Sequence, residues 1–212
     1  MGNSPGTPKS RPVTDAGPVT EPSGADSYGQ KRGEAVQRAH LLLISGSTRP
    51  GSSNTAALRA VATVAPGDIS TELYTGLEKL PAFVPGDQPS PPAVAELRER
   101  LAAADAVLFC TPEYAGLIPG SLKNLLEWTV GTADLYEKPV AWINVAAPGR
   151  GEGAIESLRT VLGYVGATII DNACVRITVP HGAVESDGTV SDSNVRAELA
   201  ATITAIGKYL DR

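Results

Sequence analysis

The sequence predicts an α/β fold: a parallel β-sheet with helices on both faces. Three observations carry this. From residue 40 onward, apolar runs and helix-like amphipathic stretches alternate strictly, five of each. Most of the runs are too continuously apolar for strands with one wet face, the second strand alternating instead. Three of the segments that leave them are rich in Gly, Pro and small polar residues, as expected of ligand-binding loops at the carboxyl edge of such a sheet.

The first strand is HLLLIS, residues 40–45. A helix over 54–65 follows, with Leu58, Val61 and Ala65 on one face. ISTELYT (69–75) is the second strand, and a Pro-rich loop runs from Gly76 to Pro92. The second helix, 93–104, aligns Val94, Leu97 and Leu101. AVLFC (106–110) is a third strand; after the loop TPEYAGLIPG comes a helix over 121–130 with the stripe Leu122, Leu125, Leu126 and Thr129. Pro119–Gly120 marks its start. PVAWINV (139–145) is the fourth strand, AAPGRGEG (146–153) its loop, and 154–165 the next helix, carrying Ile155, Leu158, Leu162 and Val165. TIIDNACVRITV (168–179) reads as the fifth strand, with Asp171–Asn172 as the place where it can break. Asp187–Gly188 signals a turn before the last helix, 192–210, striped by Val195, Leu199, Ile203, Ile206 and Leu210.

Residues 1–39 read differently. Pro, Gly, Ser and Thr recur throughout, and large apolar side chains are few. Such a segment buries too little surface to offset its ordering entropy, so a disordered tail is expected, followed by one domain over 40–212. The chain has 212 residues, 42% of them hydrophobic, and a net charge of -5, which argues against a broad basic surface for nucleic acid. No apolar run reaches the ~20 residues of a membrane span, and the N-terminus lacks the apolar core of a signal peptide. Cys110 and Cys174 lie far apart in strand-like runs and are expected as buried thiols in a reduced compartment, which points to the cytoplasm. Two isolated histidines, His40 and His181, do not make a metal site. No G-x-S-x-G elbow is present.

The loop GSTRPGSSN, Gly46 to Asn54, joins the first strand to the first helix. Free N–H groups and the helix dipole at such a junction favour an anion. Ser47, Thr48, Ser52, Ser53 and Asn54 add short donors, and Arg49 adds a charged fork. The nucleoside-triphosphate loop is excluded because Ser52, not Lys, follows Gly51. The dinucleotide fingerprint is excluded because Thr48 occupies its middle glycine. Hydroxyls plus a cation suit a terminal phosphate monoester. A helix cap alone would account for one of these residues, not five donors and an Arg.

GSTRPGSSN resembles the G-S-x-R-x-x-S-x-N phosphate loop of the NAD(P)H-dependent FMN reductases. TPEYAGLIPGSLKNLLEW (111–128) is similar to that family's P-E-Y-N-x-x-x-P-G-x-L-K-N-x-x-D-W segment, and AAPGRGEG more loosely to its Gly-rich loop. The resemblance spans essentially all of 40–212 in order and spacing. It implies a flavodoxin-like sheet of order 2-1-3-4-5 that binds FMN. Ser47, Arg49, Ser52 and Asn54 would hold the phosphate, with Thr48 and Ser53 beside them. Pro112, Glu113, Tyr114 and the adjacent Ala115 would line the ring's edge, and Gly149 and Gly151 would approach it from the other side. Two departures stand out: Ala115 replaces the family Asn, and Glu127 replaces the Asp before Trp128. Arg150 is placed to meet the phosphates of the nicotinamide nucleotide.

The resemblance further implies hydride transfer from NADPH or NADH to FMN, then reduction of a small-molecule acceptor (flavin, quinone, azo compound or oxidised metal ion) by ping-pong kinetics. No catalytic side chain is required for this. It also implies a homodimer or homotetramer, with helix 121–130 and its Trp128 as the candidate interface. The alternative is an electron-transfer or sensor flavoprotein without its own nicotinamide turnover; Arg49 argues against an electron carrier, whose phosphate loop is usually Thr-rich and lacks an Arg.

Overall fold

A computed structural model describes residues 38–86, 88–185 and 188–212. Six strands form one parallel sheet: β1 (Ala39–Ser45), β2 (Ile69–Tyr74), β3 (Ala106–Cys110), β4 (Pro139–Asn144), β5 (Thr168–Ile169) and β6 (Val175–Arg176). Their order is β2-β1-β3-β4-β5, with β6 also on β4, which is the flavodoxin-like order expected. The helices are α1 (Ser53–Val64), α2 (Pro92–Ala103), α3 (Gly120–Trp128), α4 (Glu152–Tyr164) and α5 (Ser193–Leu210).

The strand period of two sorts each central strand between two cores. Leu41, Leu43, Leu108, Cys110, Ala141 and Ile143 face α1 and α5. Leu42, Ile44, Val107, Phe109, Val140 and Trp142 face α2, α3 and α4. Burial on both faces explains why the strands read as unbroken apolar runs.

Three expectations shift. The domain begins before residue 40: Ala39 is buried as the first residue of β1, and Arg38 pairs with Asp68 at 3.1 Å and Asp211 at 2.6 Å. The rest of the expected disordered tail lies outside the described residues, as does Asp187 of the expected turn. There, Gly188 has φ +81° and its N–H donates to Glu185 O. The single strand expected over 168–179 is two short ones. β5 pairs with Pro139 and Val140, β6 with Ile143 and Asn144, and a 3-10 turn at Asp171–Ala173 steps out between them. Exposing Asp171 and Asn172 while burying Ala173 is what breaks the ladder. The break also leaves Cys174 only part-buried rather than buried; both cysteines are free thiols.

The chain leaves β1 to form β2 on one side, then crosses back to β3 on the other. The switch in strand order therefore lies between β1 and β3, and a crevice opens at their carboxyl ends.

Candidate functional site

The first loop leaves β1 through a tight crossing. A Cβ on Gly46 would stand 2.2 Å from Thr111 Oγ1, so only glycine lets the β1 and β3 loops pass so closely. Ser52 is buried and caps α1: its Oγ accepts from Asn54 N at 3.2 Å. Asn54 is buried too, and its Oδ1 accepts from the Cys110 thiol at 3.3 Å. Ser47 Oγ accepts from Arg49 N at 3.2 Å, shaping the turn. Among the described residues, the Arg49 guanidinium has no carboxylate partner, and the Ser53 and Thr55 N–H groups have no protein acceptor. The helix thus offers its positive end and a free cation at one place.

The second loop makes a two-residue hairpin. Tyr114 and Leu117 exchange backbone hydrogen bonds at 2.9 and 3.1 Å, with Ala115 at φ +51° and Gly116 at φ +81°. Positive φ at both central positions is a type I′ turn, which favours Asn-Gly. The hairpin rests on α4: a Cβ on Gly153 would fall 2.0 Å from Gly116 O, and Ile118 N donates to Ser157 Oγ at 3.0 Å. The α4 N-cap is Gly151, which has no side chain to cap with. Glu113 supplies the missing acceptor, taking the Ala154 N–H at 3.2 Å.

The third loop, 146–151, turns through Gly149 at φ +75° and Gly151 at φ +80°. Asn144 Oδ1 accepts from Ala146 N at 3.0 Å. A Cβ on Gly151 would meet that same oxygen at 2.8 Å. Arg176, from β6, donates to carbonyls of this loop.

The three loops enclose a cleft of about 730 Å³, within the ~300–1,000 Å³ range of cofactor sites. Of the residues named from sequence, Arg49, Ser53, Asn54, Pro112, Glu113, Gly149 and Gly151 line it, as does Arg150. Ser47, Thr48, Ser52, Tyr114 and Ala115 do not. Ser47 and Ser52 shape and cap the loop, while Tyr114 and Ala115 sit in the exposed hairpin. Thr111 and a wall formed by Thr178, Val179 and Pro180 also line the cleft, and none of them stands out in the sequence. The wall follows the strand break, which sequence marks only as two polar residues. Arg49 and the N-terminus of α1 form a part of the cleft wall with the chemistry to hold an anion. Elsewhere on the wall, the N–H groups of Ala147, Gly149 and Gly151 have no protein acceptor among the described residues and are donors open to a ligand's acceptors.

Burial pushes the Cys110 thiol far above its ordinary range, and the Cys174 thiol up to about 11. Neither is a poised nucleophile. Among the described residues, no cluster of three or more His, Cys, Asp or Glu is placed to hold a metal, and no helix is long and apolar enough to cross a membrane. His40 Nδ1 is hydrogen-bonded to Ser70 Oγ at 2.8 Å, far from the crevice at the start of β1.

The family described as NADPH-dependent FMN reductase matches residues 39–180. The chain is 30% identical over 177 residues to the NAD(P)H-dependent FMN reductase PA1204 of Pseudomonas aeruginosa, covering 81% of this chain and 95% of that one. It is 28% identical over 184 residues to a quinone reductase of Escherichia coli, covering 83% and 97%. Among solved structures, FerB, a flavoenzyme NAD(P)H:(acceptor) oxidoreductase from Paracoccus denitrificans, superposes with a TM-score of 0.72 at 26% identity, covering 82% of this chain and 97% of that one.

Proposed function

This chain belongs to the NADPH-dependent FMN reductase family, and from that premise we propose that it reduces a small-molecule acceptor with electrons from NADPH or NADH by way of bound FMN. It is an oxidoreductase of the NAD(P)H-dependent type. A quinone is the acceptor class we assign first, because a relative covered over 97% of its length is a quinone reductase. The cleft carries the reading: a helix N-terminus, and a cation and loop N–H groups that have no protein partner among the described residues, share one wall at the switch point of the sheet.

When bound, FMN supplies the hydride chemistry; the protein supplies placement and electrostatics. Arg49 and the first turn of α1 hold the phosphate. Gly149 and Gly151 let the third loop come close to the ring without side chains in between. Arg150, also on the cleft wall and without a carboxylate partner among the described residues, attracts the phosphates of the nicotinamide nucleotide. Glu113, on the cleft wall, caps α4 by accepting the Ala154 N–H. One open cleft receives donor and acceptor in turn, which gives ping-pong kinetics.

The chain is also proposed to form a homodimer through the outer surface of α3 and α4. Trp128 takes no part in it: it is buried edge-on against Phe83, ring centroids 5.1 Å apart, and its Nε1 donates to Pro81 O at 2.9 Å. The outward surface instead presents Val130 and Tyr164, the latter 90% exposed, beside a groove lined by Leu126 and Val161.

The deciding measurement loads the purified protein with FMN and follows NADPH oxidation with menadione as acceptor. Turnover with parallel lines in double-reciprocal plots is expected. FMN-loaded protein that leaves NADPH unoxidised overturns the reductase reading, and protein that takes up no FMN overturns the flavin site itself.

A further inference from the structure

Arg176 follows Arg150 by 26 residues, outside the cleft wall, yet its guanidinium organises that wall. Nη1 donates to the carbonyls of Ala146 at 3.0 Å, Ala147 at 3.2 Å and Arg150 at 2.9 Å. Nη2 donates to Glu152 Oε1 at 2.5 Å. Three carbonyls of the third loop therefore turn toward one cation. In a trans peptide the N–H points opposite to the carbonyl it is joined to. The carbonyl of Ala146 shares its peptide with the N–H of Ala147, and that of Arg150 with the N–H of Gly151. Both N–H groups thus point away from Arg176, both residues line the cleft, and neither N–H has a protein acceptor among the described residues. A cation beside the N-terminus of α4 opposes the helix dipole, and Glu152 in the first helical turn offsets it.

We propose that Arg176 is a positioning residue: by gathering the carbonyls of Ala146, Ala147 and Arg150 it presents the N–H groups of Ala147 and Gly151 to the cleft as donors for the carbonyl edge of a flavin ring. This rests on the flavin reading above. Lysine is an incomplete substitute, because a point-like ammonium on a shorter stem does not reproduce a planar fork that reaches three carbonyls and a carboxylate. Without the guanidinium, the loop carbonyls lose their charged donor and Glu152 its partner, so the loop relaxes.

The test titrates apo-protein with FMN and, separately, with riboflavin, which has the same ring but no phosphate. Arg176→Met is expected to weaken both flavins by the same factor, about tenfold, the effect of losing charge-assisted order in one loop. Arg176→Lys recovers part of that loss. Hydrogen exchange at Ala147 and Gly151 quickens in Arg176→Met apo-protein, a readout that needs no turnover and no flavin. Unchanged affinity for both flavins, a loss confined to FMN, full recovery by Lys, or unaltered exchange overturns the proposal. Should Arg176→Met fail to fold, the Lys variant alone decides: riboflavin affinity equal to wild type overturns it. Wild-type protein that binds neither flavin overturns the flavin reading instead, and the exchange data then report only whether Arg176 orders the loop.

Discussion

Single side chains at this site divide into those that meet a ligand and those that hold the loops in place. Arg49 belongs to the first group, since no carboxylate among the described residues neutralises it and it lines the cleft. Arg49→Ala is expected to weaken FMN about ten- to a hundredfold, the range for a charge-assisted contact, while leaving riboflavin affinity unchanged. Equal losses for the two flavins, measured by fluorescence titration, would exclude a phosphate role. Ser52 and Glu113 belong to the second group. Each satisfies a helix N-terminus, one locally and one from 41 residues away. The local cap is legible in sequence because Ser-Ser-Asn precedes a helical stripe. The remote one is not, because nothing in the order of residues says that Gly151 would leave α4 uncapped or that Glu113 would be near.

Among the elements, the 114–117 hairpin carries local backbone strain at Ala115. Alanine in the left-handed region costs roughly 1–2 kcal/mol, and Asn tolerates that region far better. Ala115→Asn is expected to raise the thermal midpoint by a few degrees, as measured by calorimetry. Gly153→Ala should do the opposite and loosen the hairpin, because its Cβ meets backbone, not a movable side chain. A G153A protein as stable as wild type would show that the hairpin does not rest on α4. The apolar runs of β1, β3 and β4 were readable because both their faces are buried. β5 and β6 read as one strand in the sequence because the side chains around Asp171 and Asn172 are apolar on both sides, and only pairing against β4 shows where the ladder stops. Of the site, the anion end was legible from five short polar residues and an Arg in one loop. The far wall at Thr178–Pro180 and the hold of Arg176 on loop 146–151 depend on tertiary contacts that no local pattern encodes.

For the molecule as a whole, three acids wholly or partly withdrawn from water are expected to set the alkaline limit. Burial raises Cys110 well above its ordinary 9.0 and Cys174 to about 11. Burial first, and the charge of Glu96 second, raise Tyr74 from 10.0 to about 12. Each folded-state value lies above the unfolded one, so the stabilisation is complete below pH about 9 and is lost as pH climbs toward the folded values. Thermal midpoints should be level between pH 7 and about 8.5 and fall above pH about 9, and Cys110→Ala should flatten that fall. A midpoint indifferent to pH up to about 10.5 would contradict this. At assembly level, sedimentation of the purified protein is expected to give a dimer, and Tyr164→Asp to shift it toward monomer; a wild-type monomer at micromolar concentration would remove the proposed α3–α4 interface. The divided ladder beside β4 has one more consequence. A sheet's last strand is a template on which a foreign strand can crystallise. Here that border consists of two two-residue pieces interrupted by a turn with an exposed Asp171, so it never presents an uninterrupted row of donors and acceptors. The irregularity that confounds its reading as a strand also guards this side of the protein against fibrous self-association.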